Sequence, residues 1–326
     1  MRGASLRGCI DALLGGDIVA LPTETVYGLA CLALEEQAVD KVFQLKKRPS
    51  DNPLIVHVLD LDQAQMVAVL NPIAKLLCNE FWPGPLTLIL PKRDELPGNV
   101  TAGLETVAVR SPSHALFRTV LKEVGQPLAA PSANPHSKLS PTNAKEVLEF
   151  FGSELPILDG GKCTFGVEST VLDLTSEKPS ILRPGPIAKD TLEEFLGIEI
   201  LSGLPRTKKG EPQKSPGLSL KHYAPETSVR LYSCFDEILG LEDLTSDDLI
   251  IAPHDGMIPL IQSSSPAKVL SFSKTDEPEE IARNLYATLR AADFFEKKLI
   301  HVALLRDTNG IIAAINDRLR RASTLS

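Results

Sequence analysis

Along its first part the chain offers more short apolar runs than helices to connect them. Asp17–Leu21, Pro53–Leu59, Leu86–Leu90, Thr106–Arg110, Pro127–Ala130, Val171–Leu174 and Ile181–Arg183 read as strands, and Ile157–Leu158 adds a shorter apolar step. Helical spacing of apolar residues is found in Leu6–Leu14, Glu35–Lys47, Leu61–Glu80 with a break near Pro72, and Ser113–Val124, which Gly125 stops. Every parallel neighbour needs a long crossover, usually a helix, so a surplus of strands forces some pairs to run antiparallel. The expected architecture is α/β (α+β), a twisted, mixed, open sheet flanked by helices.

Composition changes at Leu204–Pro225, where Pro205, Lys208, Lys209, Gly210, Pro212, Pro216 and Gly217 crowd together with few apolar residues, as in a linker. Beyond it the pattern alternates. Val229–Tyr232, Asp248–Ala252, Lys268–Phe272 and Leu299–Leu305 read as strands, Pro278–Glu296 as an amphipathic helix, and a last helix is expected near Gly310–Ala322. This predicts a smaller Rossmann-like three-layer α/β domain, without a G-x-G-x-x-G fingerprint to imply a dinucleotide. The expected division is residues 1–203, a linker over 204–226 and a second domain over 227–326.

Several function classes are disfavoured. No apolar run approaches the roughly 20 residues that span a bilayer, and the N-terminus lacks a secretory core, so a cytoplasmic location is expected. The five cysteines are scattered without a C-x-x-C pair, which suggests neither a disulfide framework nor a zinc site, and no protein metal site is expected. A net charge of -8 supplies no global field for nucleic acid, so tight nucleic-acid binding is not expected. P-loop, H-E-x-x-H, G-x-S-x-G and kinase motifs are missing, leaving a nucleophilic serine or cysteine unsupported.

What stands out is Ala130–Thr142, A-P-S-A-N-P-H-S-K-L-S-P-T, with Ser132, Asn134 and Ser140 on a chain stiffened by three prolines. A helix is predicted to start here, with Ser140 as N-cap and Pro141 in the first turn, making a cradle for an anion or nucleotide. Lys46, Arg48, Arg110 and Arg183 lie where helices or strands end, and suit triphosphate or carboxylate groups. Thr25, His57, Ser169 and Thr170 add neutral partners. Taken singly, each is better explained as a cap or surface residue.

Together, L-P-T-E-T-V-Y-G-L-A, K-K-R-P-S-D-N-P-L-I-V-H-V, F-W-P-G-P-L-T-L-I-L, V-A-V-R-S-P, A-P-S-A-N and G-V-E-S-T-V-L-D-L followed by I-L-R-P-G resemble the threonylcarbamoyl-AMP synthases of the Sua5/YrdC/YciO family. S-P-G-L-S-L-K-H-Y-A-P, over 215–225, is similar to the linker of the long, two-domain Sua5 form. The resemblance implies a YrdC-like catalytic domain and a Sua5-type C-terminal domain. It implies conversion of L-threonine, bicarbonate and ATP, with Mg2+, to L-threonylcarbamoyladenylate and pyrophosphate. The product would pass to tRNA threonylcarbamoyl transferase machinery for the t6A modification. By the same resemblance Lys46, Arg48, Ser132 and Asn134 form the catalytic signature. Arg48, Asn52, Thr106, Ser132, Ser140 and Arg183 would hold ATP, with Tyr223 closing over it. Thr25, His57, Arg110, Ala130 (through its backbone) and Ser169 would hold threonine.

The chain departs from the family pattern at Lys47, where glycine is frequent, at His136-Ser137, which replaces a Ser-Gly pair, and in the linker at Leu218 to Lys221. Two other readings share the fold. One is a double-stranded RNA-binding module, disfavoured by net charge. The other is a carbamoyl-transfer enzyme of hydrogenase maturation, expected within a longer chain carrying acylphosphatase and zinc-finger segments.

Overall fold

Cross-strand pairing in a computed structural model, which describes residues 4–203, 223–257, 260, 266–306 and 310–323, shows how the strand surplus is absorbed. The first sheet contains β1 (Val19–Leu21), β2 (Gly28–Leu32), β3 (Ile55–His57), β4 (Leu86–Pro91), β5 (Thr106–Arg110), β6 (Leu128–Ala129), β7 (Thr170–Asp173), β8 (Ser180–Arg183) and β9 (Leu201–Ser202). Their order is β1-β2-β6-β3-β5-β4-β7-β8-β9, with β3/β5, β4/β7 and β8/β9 parallel and the other neighbours antiparallel. The sheet is mixed, as the strand surplus demands.

Some elements differ from the sequence reading. β2 is a strand that the sequence reading did not name, and all five of its residues are buried, with no polar alternation to mark it. The run Pro53–Leu59 contributes Ile55–His57 as β3; Leu54 donates outside the ladder, to the Val100 carbonyl, while the Val58 amide closes the pairing with β5 at the Arg110 carbonyl. Ile157 makes an isolated bridge to Ala20. The helix expected from Ser140 begins later, as Ala144–Phe151, with the Asn143 side chain accepting from the Glu146 amide. Pro141 is held elsewhere, its carbonyl accepting from the Tyr27 amide. The first-turn amides of this helix therefore do not form the expected cradle.

Alternation along the strands sorts the core onto two faces. Leu29, Cys31, Val56, Leu88, Val107, Val109 and Ala129 point to the larger core. Leu21, Ala30 and Leu128 pack on the other side with the helices Leu6–Leu14 and Ala115–Val124, through Cys9, Leu13, Phe117 and Leu121. Further along that second face only a small cluster remains, Ile55, Ile89, Ala108, Val171 and Leu182.

The second sheet contains β10 (Ser228–Tyr232), β11 (Asp248–Ala252), β12 (Lys268–Ser271) and β13 (Leu299–Ala303), all parallel, in the order β10-β13-β11-β12. The helix Pro278–Asp293 opens with Pro278, Glu279 and Glu280, which suits an N-terminus. Its apolar stripe of Ile281, Leu285, Tyr286 and Leu289 shares a core with Val26, Leu139 and Val167 of the first part. Contact is close at Gly166, where φ is +73° and a Cβ would come within 2.5 Å of the Arg283 Cα. Only glycine fits there. Among the described residues no helix is long and apolar enough to cross a membrane.

Candidate active site

The small apolar cluster makes a floor that reaches a cleft through Ile55, and strand parity decides what stands on it. His57 and Arg110 each lie two residues beyond a floor residue, Ile55 and Ala108, and Ser169 lies two before Val171, so all three project from the same face. His57 and Arg110 are register partners in the parallel pair β3/β5, which brings their side chains to one strand end.

Arg110 is 3 % exposed. Its Nη2 pairs with Glu24 Oε1 at 2.6 Å, Nη1 donates to Thr25 Oγ1 at 2.9 Å, and Nε donates to the Gly84 carbonyl. Thr25 is held in turn by Thr23, whose hydroxyl folds the T-E-T-V loop on itself. His57 Nδ1 lies 3.2 Å from the Ile55 carbonyl, which can only accept, so the proton sits on Nδ1 and Nε2 presents its lone pair. Burial, and then the Arg110 charge, lower the His57 pKa to about 3, leaving the ring neutral.

Across the floor, Ser169 Oγ lies 2.7 Å from Thr87 Oγ1 and accepts from Arg183 Nη2 at 3.1 Å. Arg183 Nε donates to the Ser169 carbonyl. This contact depends on Gly185, since a Cβ there would lie 2.1 Å from the Thr170 amide nitrogen. Arg48 enters from the end of the helix Glu36–Lys46; its Nε donates to the Asn52 carbonyl and Nη2 to Asn52 Oδ1 and the Pro53 carbonyl. Burial lowers the Arg48 pKa to about 10, still cationic near neutrality. Thr25, Arg48, His57, Arg110, Ala130, Ser132, Ser169, Arg183 and Tyr223 all line this one cleft.

Other candidates do different work. Lys46 is 1 % exposed and its Nζ donates to the backbone carbonyls of Ser132 and Asn134, clamping the S-x-N turn from behind. Burial and the neighbouring Arg48 push its pKa well below the ordinary lysine value. The Asn134 amide donates to the carbonyls of Pro135 and Lys138, closing the same turn. Asn52 positions Arg48, Ser140 Oγ donates to Glu168 Oε1 at 2.7 Å, and Thr170 Oγ1 donates to the Ile187 carbonyl. Thr106 begins β5 and pairs with Pro91, roughly 13 Å along the strand from Arg110, and is not brought into the cleft.

Tyr223 is buried at the mouth, with its ring stacked 5.6 Å from that of Tyr286 and its backbone at φ +60°. The space left free among the lining side chains is about 40 Å3, near the share of one water molecule in the liquid. A molecule much larger than water enters only when a wall moves. Residues 204–222 of the linker, Leu218 to Lys221 among them, lie outside the described residues.

Two functional carboxylates escaped the sequence reading. Glu24 is the counter-charge that a buried Arg110 requires, and T-E-T beside a strand was its only signal. Glu168, inside G-V-E-S-T, receives Ser140, Tyr286 and Arg318 at once. Burial alone would raise its pKa, but Arg318 and Arg183 outweigh burial and bring it to about 2. With both carboxylates committed to arginines, and no group of three His, Cys, Asp or Glu gathered among the described residues, the chain's own side chains do not fit a magnesium cage.

The sequence family described as Sua5/YciO/YrdC, telomere recombination, matches residues 11–185, and the one described as threonylcarbamoyl-AMP synthase, C-terminal domain, matches 187–324. The chain belongs to the Sua5/YciO/YrdC family. It is 40% identical over 317 residues to the threonylcarbamoyl-AMP synthase of Pyrococcus abyssi, covering 94% of this chain and 91% of the relative. Identity to the Bacillus subtilis threonylcarbamoyl-AMP synthase is also 40%, over 314 residues and 94% and 89% of the two chains. Its structure is similar to the crystal structure of P. abyssi Sua5 complexed with L-threonine, with a TM-score of 0.86 at 38% identity, over 98% of this chain and 94% of the other. Two departures from the Sua5/YciO/YrdC pattern share a backbone angle that favours glycine. Lys47 and Ser137, each at a position where the family pattern has glycine, have φ of +51° and +67°.

Proposed function

We infer that this chain is a threonylcarbamoyl-AMP synthase, making L-threonylcarbamoyladenylate and pyrophosphate from L-threonine, bicarbonate and ATP for the t6A modification of tRNA. The observation that carries the reading is one cleft in which Thr25, His57, Arg110 and Ser169 adjoin Arg48, Ser132 and Arg183. The first group suits a hydroxy-amino acid: Arg110 for its carboxylate, the hydroxyls and the neutral imidazole for its hydroxyl and amine. With a pKa of about 3, His57 accepts a hydrogen bond without taking the proton at neutral pH.

In the reaction the threonine amine adds to the bicarbonate carbon and water leaves. A carbamate oxygen then attacks the α-phosphorus, and the bond to the β-phosphate oxygen breaks with its electrons going to pyrophosphate. Charge grows on the departing phosphates, where Arg48 and Arg183 stabilise it in a site poor in water, and no covalent enzyme intermediate is needed. Magnesium enters as part of the substrate MgATP, carried by the phosphates. Tyr223 acts as a lid that opens for ATP and closes over it. The adenylate passes to a transferase that modifies tRNA.

Mixing the protein with ATP, threonine and bicarbonate tests the reading. Pyrophosphate is expected only when all three are present, and its appearance without threonine would overturn the assignment. Arg48→Ala is expected to lose about 100-fold or more in pyrophosphate release. Deleting residues 204–326 without altering turnover or ATP retention would remove the lid.

A further inference from the structure

Among the contacts between the two halves is one buried guanidinium. Arg318, on the helix Gly310–Ala322, is fully buried, and its Nε donates to Glu168 Oε2 at 2.8 Å. Its Nη1 donates to the Pro184 carbonyl at 3.1 Å and to Asp317 Oδ2 at 2.8 Å. Its guanidinium carbon lies 5.3 Å from the centre of the Tyr223 ring. Glu168 immediately precedes Ser169, and Pro184 immediately follows Arg183. One side chain from the second sheet's side thus grips both strand ends that present the cleft's hydroxyl and guanidinium, and lies under the tyrosine at its mouth. Tyr286 Oη adds a second bond to Glu168 Oε2 at 2.8 Å, and Ser140 occupies Oε1.

We propose that Arg318 is a positioning residue for the synthase reaction, through which docking of the C-terminal α/β region fixes Ser169 against Arg183. The proposal rests on the synthase reading. Without the guanidinium, Glu168 is a buried carboxylate stripped of its main counter-charge, and it must turn toward water or take up a proton. Either change shifts the backbone at Ser169, whose hydroxyl and carbonyl are what Arg183 holds. Ser169 belongs to the threonine end of the cleft, so the loss should fall first on threonine. Lysine would keep the charge without bridging Glu168 and Pro184 together.

The test compares full-length wild type, Arg318→Ala, Arg318→Lys and Tyr286→Phe. Threonine dissociation constants are measured by calorimetry without turnover, together with thermal melting and pyrophosphate release. Arg318→Ala is expected to weaken threonine binding about 10- to 100-fold, as losses of supporting residues do, and Arg318→Lys by less. Guanidinium ion at millimolar, non-denaturing concentration is expected to restore part of the Arg318→Ala loss and to leave wild type unchanged. A purely structural role would change melting without this rescue. A folded Arg318→Ala protein with wild-type threonine affinity, or a loss that guanidinium leaves untouched, overturns the proposal. Should the alanine variant fail to fold, unchanged threonine affinity in both Arg318→Lys and Tyr286→Phe overturns it equally. Wild type that binds threonine but releases no pyrophosphate would instead count against the synthase reading.

Discussion

Single residues in this chain are set by backbone angle and by burial. Lys47 and Ser137 have left-handed backbone angles, which cost a non-glycine residue about 1–2 kcal/mol. Replacing Lys47 with glycine, partly offset by glycine's greater unfolded-state entropy, is expected to raise stability by about 0.5–1 kcal/mol, seen as a higher urea midpoint at unchanged slope. His57 carries a pH signature. Its folded pKa of about 3 lies below its ordinary value of 6.5, so the unfolded chain binds the extra proton first. The stabilisation is complete above pH 6.5 and is lost as pH falls toward 3. In His57→Asn, the unfolding free energy from urea titration should depend less on pH across that window, by an amount on the order of a few kcal/mol, and an unchanged slope would refute the neutral, buried imidazole.

At the scale of elements, the site is made by strand ends that cross the chain at close quarters. The turn after β8 passes the start of β7 so tightly that Gly185 has no room for a side chain. Gly185→Ala should part Arg183 from Ser169, costing about 1–3 kcal/mol of stability and weakening threonine binding more than ATP binding. Calorimetric titration with each substrate checks this; equal losses would show that the turn serves folding alone. The Ala130–Thr142 segment was legible as a stiff polar loop, but not how it is held beside the cleft. Proline and serine spacing suggested a helix start at Ser140, whereas Asn143 caps the helix and Lys46 holds the turn by two carbonyls. A side chain long enough to reach across a turn can act on either side of it, and local spacing does not say which.

For the whole molecule, the buried Glu168–Arg318 pair links domain docking to acidity. Glu168 titrates at about 2, below the ordinary carboxylate value of 4.5, so its stabilisation is present above pH 4.5 and is lost as pH falls toward 2. Limited proteolysis should therefore release the C-terminal region progressively over that range, and Glu168→Gln should already be susceptible at pH 7. The amino-acid sequence by itself determined the strand surplus and hence the mixed sheet, the alternating second half and the motifs that resemble a synthase family. Those follow from local periodicity and from short runs of residues. Only tertiary structure decided that Glu24 answers Arg110, that Thr106 stands at the wrong end of its strand, and that Arg318 reaches the cleft from 150 residues away. Counter-charges are chosen by burial, and burial is a property of which surfaces meet, so no local pattern records the partner.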